Sequence, residues 1–168
     1  MTDRAIFNRK YTSFTPAGTQ VWLVNGAGVT TSFPSSVAFT AGENLIQGAV
    51  VYVSGTQVFR ASALSGIAPA NYGAIGITTA AAGVTSGVSV ILDDIAVVSS
   101  ANISAETSLV PGEYYFLSKY VGQVTRYTTA SGSVTASGTD SYQAMVSVGQ
   151  ALSTTELSVE IDPPVLLV

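Results

Sequence analysis

Cysteine and histidine are both absent from the 168 residues, and the two absences remove much of the usual catalytic repertoire. Without cysteine there is neither a disulfide nor a thiolate nucleophile, and such a chain fits manufacture in a cytoplasm. Without histidine there is no conventional general base near neutral pH, and zinc loses its favoured ligands. Charge is scarce as well: Asp, Glu, Lys and Arg make up 10% of the chain, against about 25% in an average soluble domain. Hydrophobic residues reach 47%, yet no run approaches the roughly 18 apolar residues that would span a bilayer. The opening MTDRAIFNRKYTS lacks the apolar core of a secretory signal. The net charge of −4 argues against a phosphate-binding surface, which needs clustered Lys and Arg. So little charge leaves two options for the surface: Ser, Thr, Asn and Gln cover it, or partners bury it.

What is present is a succession of short, β-branched segments separated by glycine turns. QVWLVN alternates, with Val21 and Leu23 on one face and Trp22 and Val24 on the other. AVVYVSGTQVFRAS predicts a hairpin, Ala49–Val53 and Gln57–Ala61 around Ser54-Gly55. GAIGITT predicts a strand whose central glycine marks a bulge or a close backbone approach. GVSVILDDIAVVSS is two strands around Asp93-Asp94 or one bent strand. After the Pro111-Gly112 turn, GEYYFLSKYVGQVTRY predicts a second hairpin with Gly122 in its turn. TTASGSVTASGTDS predicts a surface loop, and AMVSVGQAL and TELSVEID two strands joined near Ser153-Thr154. No segment carries a 3.6-residue period. The expected fold is therefore all-β: a β-sandwich or β-barrel of about ten short antiparallel strands in one domain over 19–168, preceded by an extended N-terminal arm over 1–18.

The two ends carry the most distinctive composition. Arg4, Arg9 and Lys10 are half of the six basic residues, interleaved with Phe7, Tyr11 and Phe14. Such a segment either frays in solvent or docks on an acidic neighbour with its aromatics as anchors. At the other end Pro163-Pro164 is followed by Val165, Leu166, Leu167 and Val168, a bare apolar run that closes the domain's own core or meets another subunit.

Chemistry is poorly provided for. No G-x-S-x-G elbow exists, since Gly87-Val-Ser-Val-Ile lacks the second glycine. Asp93 and Asp94 would point to opposite faces of a strand, and Glu156 and Glu160 on one face are most simply solvated. Calcium-loop spacing is missing, and Gly26-Ala-Gly28 is too little for a dinucleotide site. Asn102-Ile-Ser104 matches a glycosylation sequon, which occurs often by chance. The expectation is no enzyme, no cofactor, no metal, no nucleic acid and no membrane partner. Sugar binding by exposed Tyr and Trp remains open, although aromatics such as Trp22, Tyr52 and Tyr114 serve more often as core or interface.

Four pieces in order carry a resemblance: AGENLIQGAVVYVSGTQVFRASA, GAIGITTAAAGVTSGVSVIL, LVPGEYYFLSKYVGQVTRY and MVSVGQALSTTELSVEIDPPVLLV. This succession, from Ala41 to the C-terminus, resembles a β-module of tailed-bacteriophage virion proteins. It is found in capsid decoration (cement) proteins, head fibres and some tail appendages. The resemblance spans about three quarters of the chain and leaves out residues 1–40. It implies a non-enzymatic virion protein of the outer particle surface, made in the host cytoplasm and trimeric, whose partner is the major capsid protein or another virion protein. On that expectation Arg4, Phe7, Arg9, Lys10 and Tyr11 are capsid-contact candidates, and Val165, Leu166 and Leu167 are subunit-interface candidates. A tail, baseplate or fibre protein with a host-receptor or glycan role is the alternative.

Overall fold

The computed structural model describes residues 22–24, 30–32, 35–64, 69–126 and 144–166, and the chain in these segments is all-β. Fourteen strands are present among the described residues, with two short 3-10 turns at Pro69–Tyr72 and Ser100–Asn102. β1 (Trp22–Val24) and β2 (Thr30–Ser32) form a small antiparallel pair. The two larger units are a barrel and an open sheet.

The barrel is built from β3 (Ser36–Ala41), β4 (Val50–Ser54), β5 (Gln57–Arg60), β6 (Ala74–Thr78) and β7 (Gly87–Ile91), closed in the order β3-β5-β4-β6-β7. Four of its contacts are antiparallel, but β3 and β5 run parallel, with Thr40 opposite Gln57 and Ala41 opposite Val58. The expected all-antiparallel arrangement is thus corrected at one seam. The reason is arithmetic: strand direction cannot alternate around a closed ring with an odd number of strands. Ala41, Val51, Val58, Val88 and Val90 fill the barrel interior.

The open sheet has the order β10-β9-β12-β13-β8, antiparallel throughout. Its strands are β8 (Ile95–Val97), β9 (Tyr114–Leu117), β10 (Val124–Arg126), β12 (Ser147–Ala151) and β13 (Glu156–Val159). Inward residues Tyr115, Leu117, Val124, Val148, Leu157 and Val159 pack against Val50, Ala61 and Ile77 of the barrel side in one continuous core. β4 explains the unbroken GAVVYV run. Val51 enters the barrel interior while Val50 enters the core beneath the sheet, so both faces of that strand are buried.

Several local expectations hold. The first hairpin forms, with its turn at Gly55-Thr56, one residue later than the expected Ser54-Gly55: Gly55 has φ 63 and Ser54 stands opposite Gln57, the register of a tight two-residue turn. Asp93-Asp94 lie between two strands, β7 and β8, which belong to different sheets. Gly76, the central glycine of β6, sits beside a register shift between Val51 and Tyr52, and a Cβ there would lie 2.2 Å from the Ile91 carbonyl oxygen. A second close approach comes at the bulge in β12, where Gly149 adopts φ 154.

The strand count exceeds the expected ten for identifiable reasons. β3 begins at Ser36, within a sequence stretch rich in turn-forming residues, and β2 is only three residues long. AMVSVGQAL divides into β11 (Ala144–Met145) and β12, which pair with different partner strands. After Pro163-Pro164 the chain resumes as β14 (Val165–Leu166), antiparallel to β11. The arm over 1–18 and the expected loop over 128–141 lie outside the described residues.

The β9–β10 hairpin clasps the two units together. Its turn runs from Ser118 to Gln123, with Gly122 at φ 76, and it lands on the ends of β4 and β5. Val50 N donates to Gly122 O at 3.0 Å, and Gly122 N donates to Ala61 O at 2.7 Å. Ala63 N donates to Ser118 O at 2.9 Å, and Ser62 Oγ donates to Lys119 O at 2.7 Å. The tyrosine-rich stretch is scaffold.

Candidate assembly surface

The few charges in the described residues are largely occupied. Arg60 Nη2 lies 3.0 Å from Glu43 Oε2, while the Arg60 backbone N–H donates to Glu43 Oε1 at 2.6 Å. Arg126 Nη2 lies 2.7 Å from Glu106 Oε1. The other Glu106 oxygen accepts from the Tyr115 hydroxyl at 3.1 Å, and that hydroxyl accepts from Val110 N at 2.9 Å. Burial pushes the Tyr115 phenol above its ordinary pKa; the Val110 N–H opposes the shift and the Glu106 carboxylate adds to it. Lys119 Nζ stands 5.4 Å from the centroid of the Tyr120 ring. Each described cation therefore has a partner within the fold.

The carboxylates considered for chemistry do not converge. Asp94 Oδ1 accepts from Ile95 N at 2.8 Å in the β7–β8 connection. Glu156 and Glu160 flank half-buried Ser158 on one face of the sheet and are exposed. Among the described residues, no group of three acids could hold a metal ion. The Asn102 sequon is structurally engaged: its amide is buried and donates to Gln47 O at 2.6 Å and Ser99 Oγ at 3.2 Å.

Apolar exposure is where the surface stands out. Val165 and Leu166 of β14 are 59% and 57% exposed, so they join β11 through the backbone without adding their side chains to the core. Leu167, the third tail candidate, and Arg4, Phe7, Arg9, Lys10 and Tyr11 of the arm lie outside the described residues. Tyr120 and Val121 are exposed at the hairpin turn.

A third exposed group is assembled by strand register. Tyr114 pairs with Gln150, Gln150 with Ser158, and Ser158 with Ile95, which makes one row across the outer face of the sheet. The next row holds Leu152, Glu156 and Val97: Leu152 N donates to Glu156 O at 2.9 Å, and Glu156 pairs with Val97. Tyr114 is 54% exposed, Leu152 49% and Val97 47%. Among the described residues no cation is paired into these rows: Arg126 stands opposite inward-facing Tyr115, on the other face. Of these residues the sequence pattern singles out Tyr114, as core or interface, and Glu156, as a solvated strand position. Alternation places Glu156 outward within ELSVE, but nothing local announces that Val97 and Leu152 will flank it.

Compared with known proteins, the chain matches no protein-family model and no curated protein.

Proposed function

We propose that the chain is a structural assembly protein of a tailed-bacteriophage virion, a decoration protein that binds assembled coat subunits and reinforces the shell. The observation that carries this reading is the exposed apolar surface, Val165–Leu166 above all, on a fold whose described cations are already engaged. Patches of this kind on a low-charge surface mark interfaces. The ordered pieces of the resemblance are compatible with it, since they run through both barrel and sheet and end in β14. Burial of such surface between coat subunits favours the closed shell over its dissociated parts by mass action. Attachment depends on the arm, residues 1–18, and the tail supplies an intersubunit contact.

Two measurements test the reading. The native mass of the purified protein is expected to be that of a stable trimer, and a monomer at high concentration would overturn the self-association. Deletion of residues 1–18 is expected to abolish co-sedimentation with capsids while leaving the β circular dichroism unchanged. Undiminished co-sedimentation would remove the arm from the contact. A fibre or receptor-binding role has one observation in its favour, the exposed Tyr114 and Tyr120 rings. Specific glycan-array binding that is lost on replacing either ring would move the assignment there.

A further inference from the structure

We propose that the outer face of the five-stranded sheet, centred on Glu156 and framed by Tyr114, Leu152 and Val97, is the acceptor for residues 1–18 of an adjacent copy of this chain. The two surfaces are complementary in charge. In the described residues three cations stand against eight carboxylates, an excess of −5, and Arg60 and Arg126 are held in ion pairs. In residues 1–18 three cations stand against Asp3 alone, an excess of +2. The chain is thus polarised between a basic arm and an acidic body.

The two surfaces also match in anchor type. On the sheet, exposed Leu152 and Val97 flank Glu156 in one row, exposed Tyr114 lies in the neighbouring row two strands away, and exposed Glu160 follows the end of β13. In the arm, Phe7, Tyr11 and Phe14 alternate with Arg4, Arg9 and Lys10. Apolar anchors with charges of opposite sign between them are what an extended segment needs to dock on a flat sheet face. Eighteen residues of extended chain reach about 60 Å, ample to bridge neighbouring domains. That the acceptor is an adjacent copy rests on the reading of the chain as an assembly protein. On this inference the arm supports attachment by tying copies together, so that several weak contacts with a shell act as one.

The test uses the full-length protein without capsids. A zero-length carbodiimide joins amines to carboxylates in contact, and Lys10 and Lys119 are the only lysines. The expected result is a covalent dimer on a denaturing gel whose peptides join Lys10 to Glu156 or Glu160. Its yield should fall several-fold in about 0.5 M salt, where the Debye length is near 4 Å. A Glu156→Gln, Glu160→Gln variant with unchanged circular dichroism should lose the link. Lys10 joined to these carboxylates only within the monomer band would overturn the adjacent-copy assignment, and Lys10 joined to neither would overturn the acceptor face. Because no capsid is present, failure here is separate from failure of the decoration role, which co-sedimentation measures.

Discussion

Tyr115 shows how one buried side chain can tie three segments together. Its ring is fully buried in the core, and its hydroxyl bridges Val110 N and the Glu106 carboxylate that also holds Arg126. Removing the hydroxyl in Tyr115→Phe leaves the Val110 N–H and one Glu106 oxygen short of a partner, with an expected loss of about 1–2 kcal/mol in urea unfolding. The raised phenol pKa has a definite sign. The folded state holds this proton more tightly than the unfolded chain, whose tyrosines titrate near 10. Stability is therefore intact below about pH 10 and falls as pH rises through the native value. Urea midpoints at pH 8 and pH 11 check this, and the phenylalanine variant should lose part of the drop. At Gly76 a methyl would meet the Ile91 carbonyl at 2.2 Å and Val90 Cγ1 at 2.6 Å. Gly76→Ala is expected to cost about 1–3 kcal/mol through forced displacement of the strands.

Among the elements, the β9–β10 hairpin and β14 make opposite use of their side chains. The hairpin buries Tyr115, Leu117 and Val124 and fastens its turn to the ends of the barrel strands. Ser62→Ala removes the hydroxyl that donates to Lys119 O at 2.7 Å, and an expected loss of about 1 kcal/mol would register the clasp. β14 is held by backbone pairing while its side chains face outward. Leu166→Asp combined with Leu167→Asp is thus expected to leave the melting temperature of the protomer nearly unchanged and to lower the native mass. Unfolding of the protomer would instead place the tail in the core. The hairpins were legible because a strand, a short turn and a returning strand are set by neighbouring residues. β3 was not, because its companions β5 and β7 begin 16 or more residues after it ends.

For the molecule as a whole, the decisive feature is that barrel and sheet share a core. Val50 and Ile77 from the barrel meet Leu117, Val148 and Leu157 from the sheet in one cluster. Unfolding is accordingly expected as a single cooperative transition, with far-ultraviolet circular dichroism and the near-ultraviolet tyrosine signal changing at the same urea concentration. Two separated transitions would mean that the barrel and the sheet unfold independently. The same sharing explains why so little charge is compatible with folding: the apolar strands find one another inside, and hydroxyl-bearing residues such as Ser89 and Ser158 face outward between them.

The β class, the positions of most strands, the glycine at a close approach in β6 and the lack of cysteine and histidine are set by local pattern and composition, which act over a few residues. Closure of the barrel with one parallel seam came only with the tertiary structure. So did the landing of the Tyr114–Arg126 hairpin on the barrel, and the gathering of Tyr114, Leu152, Glu156 and Val97 on one face. These depend on register between strands far apart in the chain, and register is decided by which long-range pairing buries the most apolar surface at once.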